Sequence, residues 1–114
     1  MANDALRRID LGGAVLTLFL GVEDDEATLD SVDALVTYPD GSRFAATILT
    51  LAALDKVMRG HEATGECLGG RYFQSHDLVV MRRGGLDEIV ELVRKLIEKD
   101  ELRHTFAGLE PDLD

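Results

Sequence analysis

The residues best suited to chemistry fall in one short stretch, 64–83, which reads TGECLGGRYFQSHDLVVMRR. It holds the single cysteine, Cys67, and a histidine, His76, followed directly by Asp77. A thiol, an imidazole and a carboxylate are the groups of a Cys–His–Asp nucleophile arrangement. Adjacent side chains on an extended backbone point to opposite sides, however, so Asp77 is badly placed to orient His76. We therefore assign no catalytic residue on this evidence.

The same stretch contains ligand types that bind zinc. His61, Cys67 and His76 have the spacing H-x5-C-x8-H, which matches neither C-x2-4-C nor H-x3-5-H. A free cysteine is usually a small buried apolar residue, and a single cysteine forms no intrachain disulfide. The sequence predicts no metal site and no cofactor.

Glycine pairs in this region raise the question of phosphate binding. The run from Gly65 to Gly70 lacks the GK[ST] ending of a phosphate loop. Gly84-Gly85 precede a predicted helix, but Asp87 and Glu88 already place negative charge in its first turn. Turns are the simpler explanation of both pairs. A small ligand pocket or enzyme site remains an alternative, built from Cys67, Tyr72, His76 and Arg82.

Charge is the clearest bulk signal. Asp and Glu number 22 against 12 Lys and Arg, which gives a formal net charge of −10. This balance disfavours nucleic acids and anionic membranes as partners and favours a basic protein. One segment carries acidic residues with no basic residue among them, and it predicts a partner-binding surface: Glu23, Asp24, Asp25, Glu26, Asp30 and Asp33.

The run before that acidic segment, 12–22, predicts a buried strand with apolar residues on both faces. Asp10 and the acidic residues that follow distinguish it from a secretion signal, and it is too short to span a bilayer as a helix. A cytoplasmic location is therefore expected. The two-sided apolar pattern leaves a structural homo-oligomer, such as a homodimer, open as a further alternative.

A β-hairpin is predicted over 34–49, because Pro39-Asp40-Gly41 separates two strand-like runs. Thr50 is placed to cap a helix that follows it and fades between Gly60 and Gly65. A second amphipathic helix is predicted over 86–99, with a further turn to Phe106.

Two segments are less regular in pattern. Residues 71–81 predict either a tight hairpin or one sharply bent strand, and 107–114 predict a frayed acidic tail. The resulting order is β-β-β-α-β(-β)-α. The expected fold is a single α+β domain over 1–114, a two-layer antiparallel sheet with helices packed on one face.

The stretch from Gly65 to Phe73, with Asp77 to Val80 and the helix to Ile97, resembles a pattern in small bacterial proteins without assigned activity. That resemblance implies no catalytic residues. In size, acidity and α+β layout the chain is also similar to immunity proteins of bacterial toxin systems. This likeness implies a non-enzymatic protein-binding module, an acidic inhibitor that docks on a basic partner.

Overall fold

The computed structural model describes residues 5–21 and 24–109. Within these residues, six strands form one sheet: β1 (Ala5–Asp10), β2 (Val15–Leu20), β3 (Ser31–Thr37), β4 (Arg43–Thr50), β5 (Leu78–Met81) and β6 (Ala107–Leu109). The helices are α1 (Leu51–Thr64), α2 (Glu66–Gly70), α3 (Leu86–Glu98) and α4 (Leu102–Thr105), with a short 3-10 helix at Glu26–Thr28.

The sheet has the order β1-β2-β3-β4-β5, and its first four strands form an antiparallel meander. β6 runs antiparallel to the start of β4, at 43–45. β5 runs parallel to the end of β4, at 47–50, because the chain makes a long crossover through α1 before it returns. The predicted α+β class with an antiparallel sheet is confirmed, and β5 is the one parallel addition.

One side of the sheet, which we call the core face, is covered. Alternate side chains of the three central strands are buried there: Leu16, Leu18, Leu20, Val32, Ala34, Val36, Ala46 and Ile48. α3 and α4 join the same hydrophobic cluster through Ile89, Val93, Leu102 and Phe106. The spacing of Ile89 and Val93 is the helical period that the sequence indicates.

The predicted hairpin is confirmed. β3 and β4 pair antiparallel, with Val36 beside Phe44 and Val32 beside Ile48. In the turn the amide of Gly41, which has a φ of 92°, donates to the Tyr38 carbonyl at 2.9 Å. Glycine accepts this left-handed backbone without a steric penalty. The Tyr38 and Phe44 rings pack edge to face beside the turn, 5.8 Å between centroids.

The first helix begins and ends as its sequence indicates. The Thr50 hydroxyl accepts a hydrogen bond from the Ala53 amide at 3.1 Å, which is an N-cap. Gly65 ends α1 in a left-handed conformation, with its amide donating to the His61 carbonyl. α1 packs against α2 and contacts β4 and β5, and its one buried side chain is Ala53.

Residues 71–77 correct one prediction. Only Leu78–Met81 pair with the sheet, so 71–81 is neither a hairpin nor one bent strand. Arg71 follows α2, which is a turn of left-handed backbone at Cys67, Leu68 and Gly69. The Phe73 ring stacks on His61 of α1, with centroids 6.4 Å apart. Phe73 therefore packs on a helix instead of entering the sheet, and Tyr72 is exposed.

Two strands lie where the sequence did not predict any. β1 has charges on both sides of its backbone, so it lacks the alternation of an amphipathic strand. β6 is three residues long and takes up the start of the predicted tail, so that tail does not begin at 107. Residues 110–114 lie outside the described part of the chain.

Candidate functional site

The acidic residues after β2 shape the loop that they occupy. The Asp24 carboxylate accepts a hydrogen bond from the Gly21 amide at 2.6 Å. The Asp25 carboxylate accepts one from the Ala27 amide at 3.0 Å and so caps the 3-10 helix. Both carboxylates remain exposed, so these hydrogen bonds orient the backbone next to Asp24 and Asp25 while the charge stays on the surface.

Two glycines bring this loop against the start of α3. The Gly85 amide donates to the Leu29 carbonyl at 2.7 Å. A Cβ atom on Gly84 would collide with that same carbonyl oxygen, and one on Gly85 would lie 2.8 Å from the Ala27 carbonyl oxygen. Gly85 also has a φ of 99°. The close approach therefore requires glycine at both positions.

An open cleft of about 340 Å³ lies where the loop meets the helix. Three carboxylates line it: Glu26 from the loop, and Asp87 and Glu88 from the first turn of α3. Ala27 and Leu86 are among its apolar lining residues. We call this the acidic cleft. Carboxylates in the first turn are favoured by the partial positive charge of the helix N-terminus.

A single ion pair touches the acidic cleft among the described residues. Arg7 of β1 donates from Nε to the Glu26 carboxylate at 3.0 Å, and both side chains are about half exposed. Neither Asp87 nor Glu88 forms an ion pair within the described part of the chain. Two carboxylates of the cleft are thus available to a cationic group from outside.

The structure divides the predicted partner-binding residues between two surfaces. Asp24, Asp25 and Glu26 lie in the loop that forms the acidic cleft, and Asp30 is exposed just before β3. Asp33 lies on the opposite side of the sheet from the core face, where its carboxylate accepts a hydrogen bond from the Thr47 hydroxyl at 2.9 Å. Glu23 lies outside the described residues.

Asp87 and Glu88 are the cleft residues that sequence reasoning did not assign to a site. They lie about 60 positions after the loop, and no local pattern joins the two segments. The Gly84-Gly85 pair is the one available signal, because paired glycines can mark a close backbone approach.

The four residues of the alternative pocket, Cys67, Tyr72, His76 and Arg82, line neither the acidic cleft nor a second cleft at the far end of the sheet. Cys67 lies in the left-handed turn, and the other three side chains are exposed. Asp77 accepts a hydrogen bond from the Ser75 hydroxyl at 2.9 Å, as expected for a carboxylate that does not orient His76.

A second cleft, of about 210 Å³, lies at the far end of the sheet between the β1–β2 and β3–β4 turns. Tyr38 and Asp10 line it. Burial raises the pKa of the Tyr38 hydroxyl, and the nearby Asp100 and Asp40 carboxylates raise it further against the opposing effect of Arg103. Its lining carries no cluster of groups that could activate a nucleophile.

No group of three or more His, Cys, Asp or Glu side chains within 5–21 and 24–109 is arranged to hold a metal ion. In the same residues no helix combines the length and apolar character needed to cross a membrane. A scan of protein-family models found no match to this sequence, and searches of curated proteins and of solved structures found none either.

Proposed function

We propose that this protein is a non-enzymatic binding module that docks on a basic protein partner, in the manner of an acidic immunity-type inhibitor. The observation that carries the proposal is the acidic cleft. It joins the loop after β2 to Asp87 and Glu88, which add two carboxylates to the charge that the loop supplies.

The cleft fits a guanidinium or ammonium group of a partner. Its volume of about 340 Å³ is sufficient for one long basic side chain, and its mixed lining suits an aliphatic stem with a charged end. Charge-assisted hydrogen bonds between such a group and a carboxylate are about twice as strong as neutral ones. A basic hot-spot residue of the partner would enter here.

The net charge of the whole chain also favours a basic partner. At −10 the protein attracts a basic partner over several ångströms before contact, and this steering raises the association rate at low salt. The local cleft then supplies the orientation that net charge alone lacks.

The first test is capture of a partner from the native host with the tagged full chain, at low and at physiological salt. We expect one stoichiometric basic protein. Recovery of no stoichiometric partner under either condition would overturn the proposal.

The second test assigns the surface with two variants of equal charge. Asp87→Asn/Glu88→Gln neutralises the cleft, and Glu91→Gln/Glu98→Gln makes the same change on exposed residues further along α3. We expect the cleft variant to lose at least about tenfold in affinity for the captured partner, measured by calorimetry, because each charged hydrogen bond contributes about 1.5–3 kcal/mol. Equal losses in both variants would refute a role for the cleft.

A further inference from the structure

The sheet has a second side, opposite the core face, that is largely uncovered over β1 to β3, the start of β4 and β6, although Thr17 and Leu49 are buried on it. We call this the open face. Four of the eight exposed large hydrophobic side chains among the described residues lie on it: Leu6, Val15, Phe19 and Leu109. The register confirms the shared side, since Leu6 pairs with Phe19, and Val15 is connected to Leu109 through the paired residues Thr37 and Arg43. The strand predicted to be apolar on both faces is therefore covered on only one.

We propose that the open face is a homodimer interface, in which two copies of this chain pack sheet to sheet. The acidic cleft takes no part in this interface, because it lies at the start of α3, on the core-face side of the sheet. Three properties of the face select a second copy as its occupant: its charge, its size and its symmetry.

The charge of the open face is balanced although the chain is strongly acidic. Its described residues carry Arg8 and Arg43 against Asp10 and Asp33, so its net charge is zero while the chain carries −10. A second copy is also at −10, and this neutral face adds no local repulsion to its approach. A basic partner gains more from the acidic surfaces elsewhere.

The size of the face is adequate for a small specific interface. Strands spaced by about 4.8 Å and roughly 20 Å long give five strands a projected face of about 450 Å². Two such faces with interdigitating side chains bury about 1,000 Å² in total, which is where specific interfaces begin.

The positions of the charges are compatible with a two-fold axis. Arg8 on β1 and Asp33 on β3 lie one strand to either side of β2, beside Thr17 and Phe19 respectively. Consider a two-fold axis that lies between the two sheets, over the midpoint on β2 and at right angles to the line from Arg8 to Asp33. This axis places Arg8 of each copy against Asp33 of the other. The same axis brings the two Phe19 rings together at the centre, where an aromatic anchor contributes most.

The test measures molar mass by light scattering after size exclusion, at protein concentrations up to about 0.5 mM, which would populate even a weak dimer. We expect a dimer for the native chain and a monomer for Phe19→Asp. The matched control is Leu51→Asp, which places the same charge at an exposed leucine at the start of α1 and should stay dimeric; Phe19 is 45% and Leu51 50% exposed. Far-ultraviolet circular dichroism checks that each variant is folded.

A charge exchange tests the geometry separately. Arg8→Glu and Asp33→Arg should each weaken dimerisation at least about tenfold by placing like charges together, and the double variant should restore it. A native chain that is monomeric at the highest concentration, or a Phe19→Asp variant that remains dimeric, overturns the proposal. Failure of the double variant to recover would contradict the two-fold axis that we assign.

Discussion

At the residue scale, Asp40 shows how hydrogen bonds within a short turn lower the pKa of a carboxyl group. Its carboxylate accepts hydrogen bonds from the Ser42 hydroxyl at 2.6 Å and from the Ser42 amide at 2.9 Å. These bonds favour the charged form, the hydroxyl most strongly, and hold the pKa of Asp40 below its ordinary value of 3.8. The proline and glycine of the turn indicated the bend, and Ser42 completes it.

Ser42→Ala tests this assignment. Removing the hydroxyl should move the pKa of Asp40 up toward 3.8, but not fully, since the backbone hydrogen bond remains. An NMR titration of the Asp40 carboxyl carbon measures the change, and Ser75→Ala is the control because it alters a hydroxyl–carboxylate pair at Asp77 instead. An unchanged Asp40 titration in Ser42→Ala would show that the hydroxyl does not hold the charge.

The lowered pKa of Asp40 determines how this residue makes the free energy of unfolding depend on pH. Because the folded pKa of Asp40 lies below the unfolded one, its contribution is present above about pH 3.8 and is lost as the pH falls through the folded value. Ser42→Ala should therefore lose less stability than the native chain on acidification across this window, in urea titrations at fixed pH.

At the element scale, the start of α3 is set by a backbone contact and not by a side-chain cap. Gly85 precedes the helix without a capping hydrogen bond from a side chain, and its amide bonds to Leu29 instead. The Thr50 amide similarly donates to the Asp30 carbonyl at 2.9 Å. The loop after β2 is thereby hydrogen-bonded to the N-cap residues of α1 and α3, the two longest helices among the described residues.

Two glycine variants separate close packing from helix propensity. Gly84→Ala should lower the free energy of unfolding by about 1–3 kcal/mol or more, because its Cβ meets the Leu29 backbone and the Thr50 methyl group. Gly60→Ala in α1, where a Cβ meets nothing, should raise it by roughly 0.5–1 kcal/mol. Urea denaturation measures both, and a Gly84→Ala variant of native stability would contradict the close approach.

The prediction of a strand at 71–74 was wrong because of how elements pair. Tyr72 and Phe73 have the composition of a strand, and local propensity indicates one. A strand also needs a neighbour, however, and β5 already occupies the β4 edge at 47–50. Phe73 packs on His61 instead, which is a contact that no local pattern reports.

At the scale of the whole molecule, the net charge of −10 should oppose folding by self-repulsion. Added salt screens this repulsion, since the Debye length falls from about 30 Å at 0.01 M to about 10 Å at 0.1 M. We therefore expect the Tm at pH 7 to rise between 0.01 and 0.3 M NaCl, by about 3–5 °C if roughly 1 kcal/mol is recovered.

The control for this prediction is the pH. Near pH 4.6, the isoelectric point of the sequence, the net charge vanishes and so should the salt effect on Tm. Differential scanning calorimetry at both pH values makes the comparison, and an equal rise at both would assign the effect to general salt stabilisation and not to charge.

The sequence by itself determined the features that arise within a few residues. Pro39-Asp40-Gly41 fixed the hairpin, Thr50 the helix cap, and the period of Ile89 and Val93 the buried side of α3. It also fixed the net charge and hence the kind of partner that we propose. Each of these depends on side chains that are near neighbours along the chain, so the local pattern contains the physical cause.

Only the tertiary structure decided which distant segments meet. The acidic cleft joins Glu26 to Asp87 and Glu88, and it exists because Gly84 and Gly85 admit the Leu29 carbonyl. The open face likewise depends on the sheet register and on which side α3 packs, which leaves Phe19 uncovered. Such contacts follow from how the whole chain closes its core, and their energies depend on groups that the local sequence does not bring together.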